Sequence, residues 1–246
     1  MNSQRSTAPR PTSAVAPLPP LGAVVCDIDG TLTTTSSALT ITKALGVPVG
    51  EHARLYRAFK AGTLTGDELP RALCTLWNGA RRQDLEAAFA TVPLRDTEHL
   101  TAAVQEHNVP LALISSSVTE YAQVTAARIG AQYAYGAGRV IYDHHGLLTD
   151  IALEANDTTA LTALKVTQFH TLARALHLEP DQILVLGNGP NDTGLFNATR
   201  RSVIIDPLGN NPHRHHAAYT APDLLHATTH LADAHLRGAT GASPQG

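Results

Sequence analysis

The stretch "VVCDIDGTLT", residues 24–33, constrains this chain more than any other. An apolar run ends in two acids separated by Ile28, and Gly30 and Thr31 follow. Val24, Val25 and Cys26 read as a buried strand within "AVVCDI". The interior of such a strand does not hold Asp27 and Asp29, because burying a charge without a partner is costly. The acids therefore belong at its carboxyl end, in the opening where α/β sheets place their ligands. Gly30 then lets the chain turn.

The rest of the chain alternates in the same way. The segment from 36 to about 90 has helical periodicity and no strand pattern. "EHARLYRAFKAG", "GDELPRALCTLWNG" (with Pro70 in its first turn) and "RQDLEAAFATV" form an all-helical insertion. After it, "RDTEHLTAAVQEHN" is helix, "PLALIS" strand and "VTEYAQVTAARIG" a helix ending at glycine. "QYAYG", "RVIYD" and "GLLTD" read as short strands of a hairpin or flap. Asp157 is the expected N-cap of the long helix "DTTALTALKVTQFHTLARALHL". "QILVLG" and "RSVIID" are strands around the short helix "PNDTGLFNAT", and "APDLLHATTHLADAH" is a last helix. Apolar strands alternating with helices imply a parallel sheet covered on both faces.

Three strands end in polar clusters: Asp27 to Thr31, Ser115 to Ser117, and "GNGPND" at 187–192. In a parallel sheet these ends open on one edge, so groups distant in sequence converge. Lys165 lies on the helix before the third cluster. A cation, several acids, hydroxyls and glycine-rich turns suit a phosphate and a divalent cation. Other readings are blander. The acids could form a turn and a helix cap, and one of the serines is expected to cap the helix starting near Val118. The third glycine of a dinucleotide loop is replaced by Asp192, which excludes that reading of "GNGPND".

Asp27-Ile28-Asp29-Gly30-Thr31 resembles the first motif of the haloacid dehalogenase (HAD) superfamily. Ser115 after "LALI" resembles the second, Lys165 the third and "GNGPND" the fourth, in order between about 22 and 207. The helical insertion is similar to the cap of the phosphoserine phosphatase-like branch. The resemblance implies an α/β fold: a doubly wound parallel sheet core at 21–32 and 94–235, with a small helical cap at 33–93. It implies Mg²⁺-dependent hydrolysis of a small phosphorylated metabolite. In that scheme Asp27 is the nucleophile that forms an aspartyl-phosphate, and Asp29 is the general acid and base. Ser115, Ser116, Lys165 and Asn191 hold the phosphate, and Asp27, Asp29, Asn188 and Asp192 hold the metal. Asp29 favours a phosphatase, since a dehalogenase needs no proton donor two residues after its nucleophile.

Two departures from that pattern stand out. "TLTTTSSALT" has no acid to hold a substrate amine, and the expected cap arginine falls at Leu73, with Arg71 nearby. Asn188 stands where a metal-binding Asp is usual. Phosphoserine is therefore not the expected substrate. A phosphotransferase and a catalytically weak binding or regulatory protein remain alternative readings.

The remaining sequence sets bounds. Hydrophobic content of 43% and a formal net charge of −3 argue against disorder and against a nucleic-acid partner. No apolar run approaches the ~20 residues that span a membrane. Residues 1–20 and 236–246 read as disordered tails, and the first lacks a signal-peptide core, which gives a cytoplasmic expectation. Cys26 and Cys74 are expected as buried free thiols. His213, His215 and His216 read as a solvated loop, His144 and His145 as a turn, and Trp77 and Phe59 as packing within the insertion.

Overall fold

In the computed structural model, residues 17–65, 68–155 and 157–239 are described, with backbone alone at 60 and 232–239. Of the tails expected at 1–20 and 236–246, residues 1–16 and 240–246 lie outside the described residues, 17–20 carry no regular structure, and 236–239 are helical. The elements run β1 (Ala23–Cys26), α1 (Ser37–Ala44), α2 (Val49–Lys60), α3 (Glu68–Leu76), α4 (Arg82–Ala90) and α5 (Thr97–Glu106). Next come β2 (Leu111–Ile114), α6 (Thr119–Ile129), β3 (Tyr133–Tyr135), β4 (Gly138–Tyr142), β5 (Leu148–Leu153) and α7 (Thr158–Ala175). The chain closes with β6 (Ile183–Gly187), α8 (Thr193–Ala198), β7 (Ser202–Ile205), β8 (Tyr219–Ala221) and α9 (Leu224–Ala239).

Six strands form one parallel sheet in the order β3-β2-β1-β6-β7-β8. Strand β1 is central, and the winding reverses between β1 and β6. That reversal opens a crevice at the carboxyl ends of the strands. Side chains alternate along β1 as the pleat requires. Val24 and Cys26 join one apolar core, with Leu100 of α5, Tyr121 of α6 and Leu224 of α9. Ala23 and Val25 join the other, with Phe169 of α7 and Phe196 of α8. Both faces of the strand are thus dry, which is why its sequence is uninterruptedly apolar until Asp27.

Helices α2 to α4 fall between β1 and β2, as the helical periodicity predicts. Helix α1 itself lies in "TLTTTSSALT" and the residues after it, where β-branched threonines hide the helical pattern. Trp77 and Thr42 pin the insertion: the buried indole donates to Thr42 Oγ1 at 2.9 Å. Phe59 is half-buried, its ring 6.4 Å from that of Tyr56. Asp157 caps α7 by accepting from Ala160 N at 2.8 Å, and Gly130 ends α6 in the left-handed region at φ 70°. Cys26 and Cys74 are buried free thiols.

Several expectations differ from the fold. "QYAYG" is not part of a hairpin: β3 pairs with β2 at the edge of the main sheet. Only β4 and β5 form the antiparallel hairpin, and it hydrogen-bonds to the insertion, with Arg82 N donating to Gly146 O and Leu148 N to Ala80 O. Strand β8 was not legible, being three residues long in a polar segment. No serine caps α6, whose N-cap is Val118 and carries no side-chain cap. Helix α9 continues past His235 to Ala239. His144 and His145 lie in the β4–β5 turn, and none of His213, His215 and His216 is buried. Among the described residues no helix is long and apolar enough to cross a membrane.

Phe169 follows Lys165 by one helical turn on α7 and is fully buried, so it anchors the face that carries the lysine. Phe169→Ala is expected to cost about 3–5 kcal/mol, seen as a lower denaturation midpoint with an unchanged slope. A loss below about 1 kcal/mol would show that this face does not depend on the ring.

Candidate active site

The polar clusters at the ends of β1, β2 and β6 are brought together because these three strands are neighbours in the sheet. Asp27 follows β1 directly and donates its N–H to Leu186 O of β6 at 2.9 Å. From the helix packed beneath, the ammonium of Lys165 donates to Asp27 Oδ1 at 2.6 Å and to Asp192 Oδ1 at 2.7 Å. All three side chains are buried. Asp192 Oδ2 accepts the N–H groups of Asn188 and Gly189, each at 3.0 Å, and so shapes the turn after β6. Both glycines flanking Asn188 serve this turn. A Cβ at Gly187 would meet Asp192 Cγ at 2.8 Å, and one at Gly189 would meet Asn191 Oδ1 at 2.7 Å.

Asn188 lies against the turn after β1. A Cβ at Gly30 would approach Asn188 Nδ2 to 2.1 Å, and Gly30 has φ 87°, so this position admits only glycine without rearrangement. The Thr31 hydroxyl stands 3.2 Å from both Asp27 Oδ2 and Asn188 Oδ1. One hydroxyl proton therefore serves two acceptors. Asn211 Nδ2 supports the turn from outside, donating to Asn188 O at 2.8 Å. The Asp206 carboxylate orders that loop by accepting from Asn210 N and Asn211 N.

The second cluster sits alongside. Ser115 is buried, and its Oγ accepts from Ser117 N at 3.1 Å, which leaves its own proton to donate. Ser116 is bound differently, its hydroxyl accepting from Asn191 Nδ2. Asp29 is partly buried. Its Oδ1 takes no hydrogen bond among the described residues, and Ser37 at the head of α1 lies near enough to favour its charged form.

Electrostatics follow from this crowding. Burial pushes Asp27 up to about 7; Asp192 adds to the rise, and Lys165 opposes it. Burial likewise raises Asp29 above the ordinary carboxylate range. Burial alone would lower Lys165, but Asp192 and Asp27 outweigh it and hold the lysine above its usual value. Three carboxylates face one ammonium, so the site is short of positive charge. Among the described residues no group of three His, Cys, Asp or Glu side chains takes a metal-holding arrangement. The oxygen donors at the mouth instead come from mixed residue types: Asp27, the Asn188 carboxamide and Thr31.

All residues singled out as site candidates from the sequence fall in this region, while Leu73 is buried in the insertion's core and Arg71 lines a separate cavity of about 350 Å³. A further cavity of about 510 Å³, bordered by Leu45, Trp77 and Asp84, shares no residue with the Asp27 cluster. The roles of Thr31, Ser37, Asp206 and Asn211 were missed in the sequence. Asp206 had a signal: the apolar run of "RSVIID" ends in an acid just as "AVVCD" does. Lys165→Met leaves two buried carboxylates facing each other and is expected to cost about 3–5 kcal/mol in chemical denaturation. A stability loss within about 0.5 kcal/mol would mean the ammonium is not needed to hold the pair.

A family model described as haloacid dehalogenase-like hydrolase matches residues 24–197, a span holding the whole Asp27 cluster. Solved structures agree in fold. A phospho-aspartyl intermediate analogue of phosphoserine phosphatase is 17% identical with a TM-score of 0.65, over 83% of this chain and 96% of that one. A HAD family hydrolase from Salmonella enterica subsp. enterica serovar Typhi is 19% identical with a TM-score of 0.70, over 84% and 68%. A probable phosphoserine phosphatase from Vibrio cholerae is 18% identical with a TM-score of 0.69, over 92% and 69%. No curated protein matches the chain in sequence. With the family model covering most of the chain, and a parallel sheet gathering its polar strand ends around Asp27, this protein belongs to the haloacid dehalogenase-like hydrolases.

Proposed function

We propose that the protein is a phosphatase that hydrolyses a small phosphomonoester through an aspartyl-phosphate on Asp27, with Mg²⁺ as cofactor. The observation that supports this best is the Asp27 carboxylate held at a strand end by Lys165, with a second acid, Asp29, two residues on. An Asp oxygen attacks phosphorus, and the bond from phosphorus to the leaving oxygen breaks. Asp29 donates the proton that the leaving oxygen needs, and its burial favours the protonated form. Asp29 then takes a proton from water as that water attacks the aspartyl-phosphate, which releases phosphate and restores Asp27. Ser115 donates its free proton to a phosphoryl oxygen, and Lys165 balances charge beside the nucleophile. Asn191 and Ser116 border the same space as one hydrogen-bonded pair.

The residues fit a hard divalent cation. Asp27 Oδ2 and Asn188 Oδ1 converge on one shared proton, and hard oxygens of this kind suit Mg²⁺. Asp27 and Asn188 would hold it, with Asp29 and Asp192 contributing charge. When bound, Mg²⁺ supplies the positive charge that offsets the repulsion between these carboxylates and a phosphate dianion. The insertion at 33–93 acts as a cap that excludes water while Asp27 reacts. Solubility and a small phosphorylated metabolite in the cytoplasm complete this reading. Phosphoserine is not its named substrate, because "TLTTTSSALT" offers no acid to pair with an ammonium.

The test is phosphate release from p-nitrophenyl phosphate and a panel of phosphorylated metabolites, with and without EDTA. Asp27→Asn, nearly isosteric, should fold normally and abolish turnover. Substantial residual activity in a clean preparation would sink the nucleophile assignment. Added alcohol acceptors that lower phosphate yield in favour of a phosphorylated alcohol would mark a phosphotransferase instead.

Asn188 gives a second prediction. A unit charge pair about 4 Å apart is worth roughly 4 kcal/mol at an effective dielectric near 20, of which about 1–3 kcal/mol survives desolvation. Asn188→Asp should therefore lower the half-saturating Mg²⁺ concentration about 5- to 150-fold. No change would place Asn188 away from the metal. Wild-type protein without metal-dependent turnover on any substrate would favour the binding or regulatory reading, which the missing charge at Asn188 motivates.

A further inference from the structure

The turn after β1 is held by a residue far along the chain. Ile28 O accepts the N–H groups of Thr31, Leu32 and Thr33, and Gly30 N donates to Thr33 Oγ1 at 3.1 Å. Three further carbonyls of this segment are closed by Arg95. Arg95 Nη2 donates to Gly30 O at 2.6 Å and to Thr33 O at 2.7 Å, and Arg95 N donates to Leu32 O at 2.9 Å. Thr33 and Leu94 form an isolated antiparallel bridge beside it. Thr33 is where the chain leaves for the helical insertion, and Arg95 is where it has just returned.

We propose that Arg95 is a positioning residue for the reaction: its guanidinium fastens the turn carrying Asp29 to the bridged segments through which the chain enters and leaves the insertion. The proposal rests on Asp29 acting as the acid and base. The chemistry suits arginine. One Nη carries two protons in a fixed plane and bonds two carbonyls at once. The structure accepts a cost for this aim, since Arg95 Nε is buried without a hydrogen-bond partner among the described residues. The Gly30 carbonyl lies one peptide beyond the Asp29–Gly30 bond, so a shift of the turn at Gly30 is passed to the Asp29 backbone through a single residue. Displacing a proton donor by about 1 Å is enough to slow a reaction about 100-fold.

The experiment compares phenyl phosphate with p-nitrophenyl phosphate, two substrates of similar shape whose leaving oxygens differ in their need for a proton. Wild type, Arg95→Met, Arg95→Lys and Asp29→Asn are assayed at saturating Mg²⁺. Asp29→Asn defines how strongly losing the proton donor discriminates between the substrates. Arg95→Met should lower kcat on phenyl phosphate about 10- to 100-fold and on p-nitrophenyl phosphate less than about threefold, with KM little changed. Arg95→Lys should recover part of the loss, since an ammonium reaches the same carbonyls with poorer geometry. Amide exchange at 31–33 should quicken in Arg95→Met while the rest of the sheet stays protected.

Equal losses on both substrates, or no loss, while Asp29→Asn discriminates would overturn the role of Arg95 and leave Asp29 in place. An Asp29→Asn variant that does not discriminate would overturn the reading of Asp29, and the proposal with it. If neither Arg95 variant folds, Arg95 is a strut of the fold and not a positioning residue.

Discussion

One ammonium between two buried carboxylates organises this molecule. Lys165 sits beneath the ends of β1 and β6 and bonds Asp27 and Asp192, with all three side chains out of water. Taking such charges from water costs several kcal/mol per ion, and only close geometry with further hydrogen bonds repays it. The fold supplies both. Helix α7 fixes the lysine through the apolar face that includes Phe169, and Asp192 spends its second oxygen on the backbone of the turn after β6. The strand order matters as much, because β1 and β6 must be neighbours for one lysine to reach both acids.

Around that triad the backbone is shaped by close approach. Gly30 and Gly187 lack side chains where Asn188 and Asp192 lie, so the turns after β1 and β6 interlock. Thr31 and Asn211 fasten that contact from either side. The turn after β1 is in turn tied by Arg95 to the return of the chain from the insertion. Asp29 meets Ser37 at the first residue of α1. The insertion is thus joined directly to the residues around Asp27, and a change in its placement is felt there. This is the physical link between cap position and chemistry in the proposed mechanism.

The site's charge balance is unusual in one respect. Asp27, Asp29 and Asp192 outnumber Lys165, and the fourth oxygen donor, Asn188, is neutral. A carboxylate at 188 would add another like charge beside Asp27, as well as strengthening a bound cation. In the proposed mechanism Asn188 would both ease the crowding of the carboxylates and weaken the hold on Mg²⁺, two effects of one missing charge.

Much of this was legible in the sequence, for local reasons. An unbroken apolar strand cannot carry charge in its interior, so "VVCDIDG" placed Asp27 and Asp29 at a strand end. The helical period of "RQDLEAAFATV" and the cap at Asp157 follow equally from neighbours in the chain. Tertiary structure decided the rest. The strand order, the seat of β3 in the main sheet and the existence of β8 depend on pairing between distant segments, which three-residue strands do not announce. The sharing of Thr31 between Asp27 and Asn188, and the reach of Arg95 to Gly30 and Thr33, depend on contacts between residues 62 to 157 positions apart. A sequence shows which residues carry charge and which face is apolar, because both are properties of single residues and their spacing. It does not show which distant groups share a proton, because that is set by where the whole chain brings them.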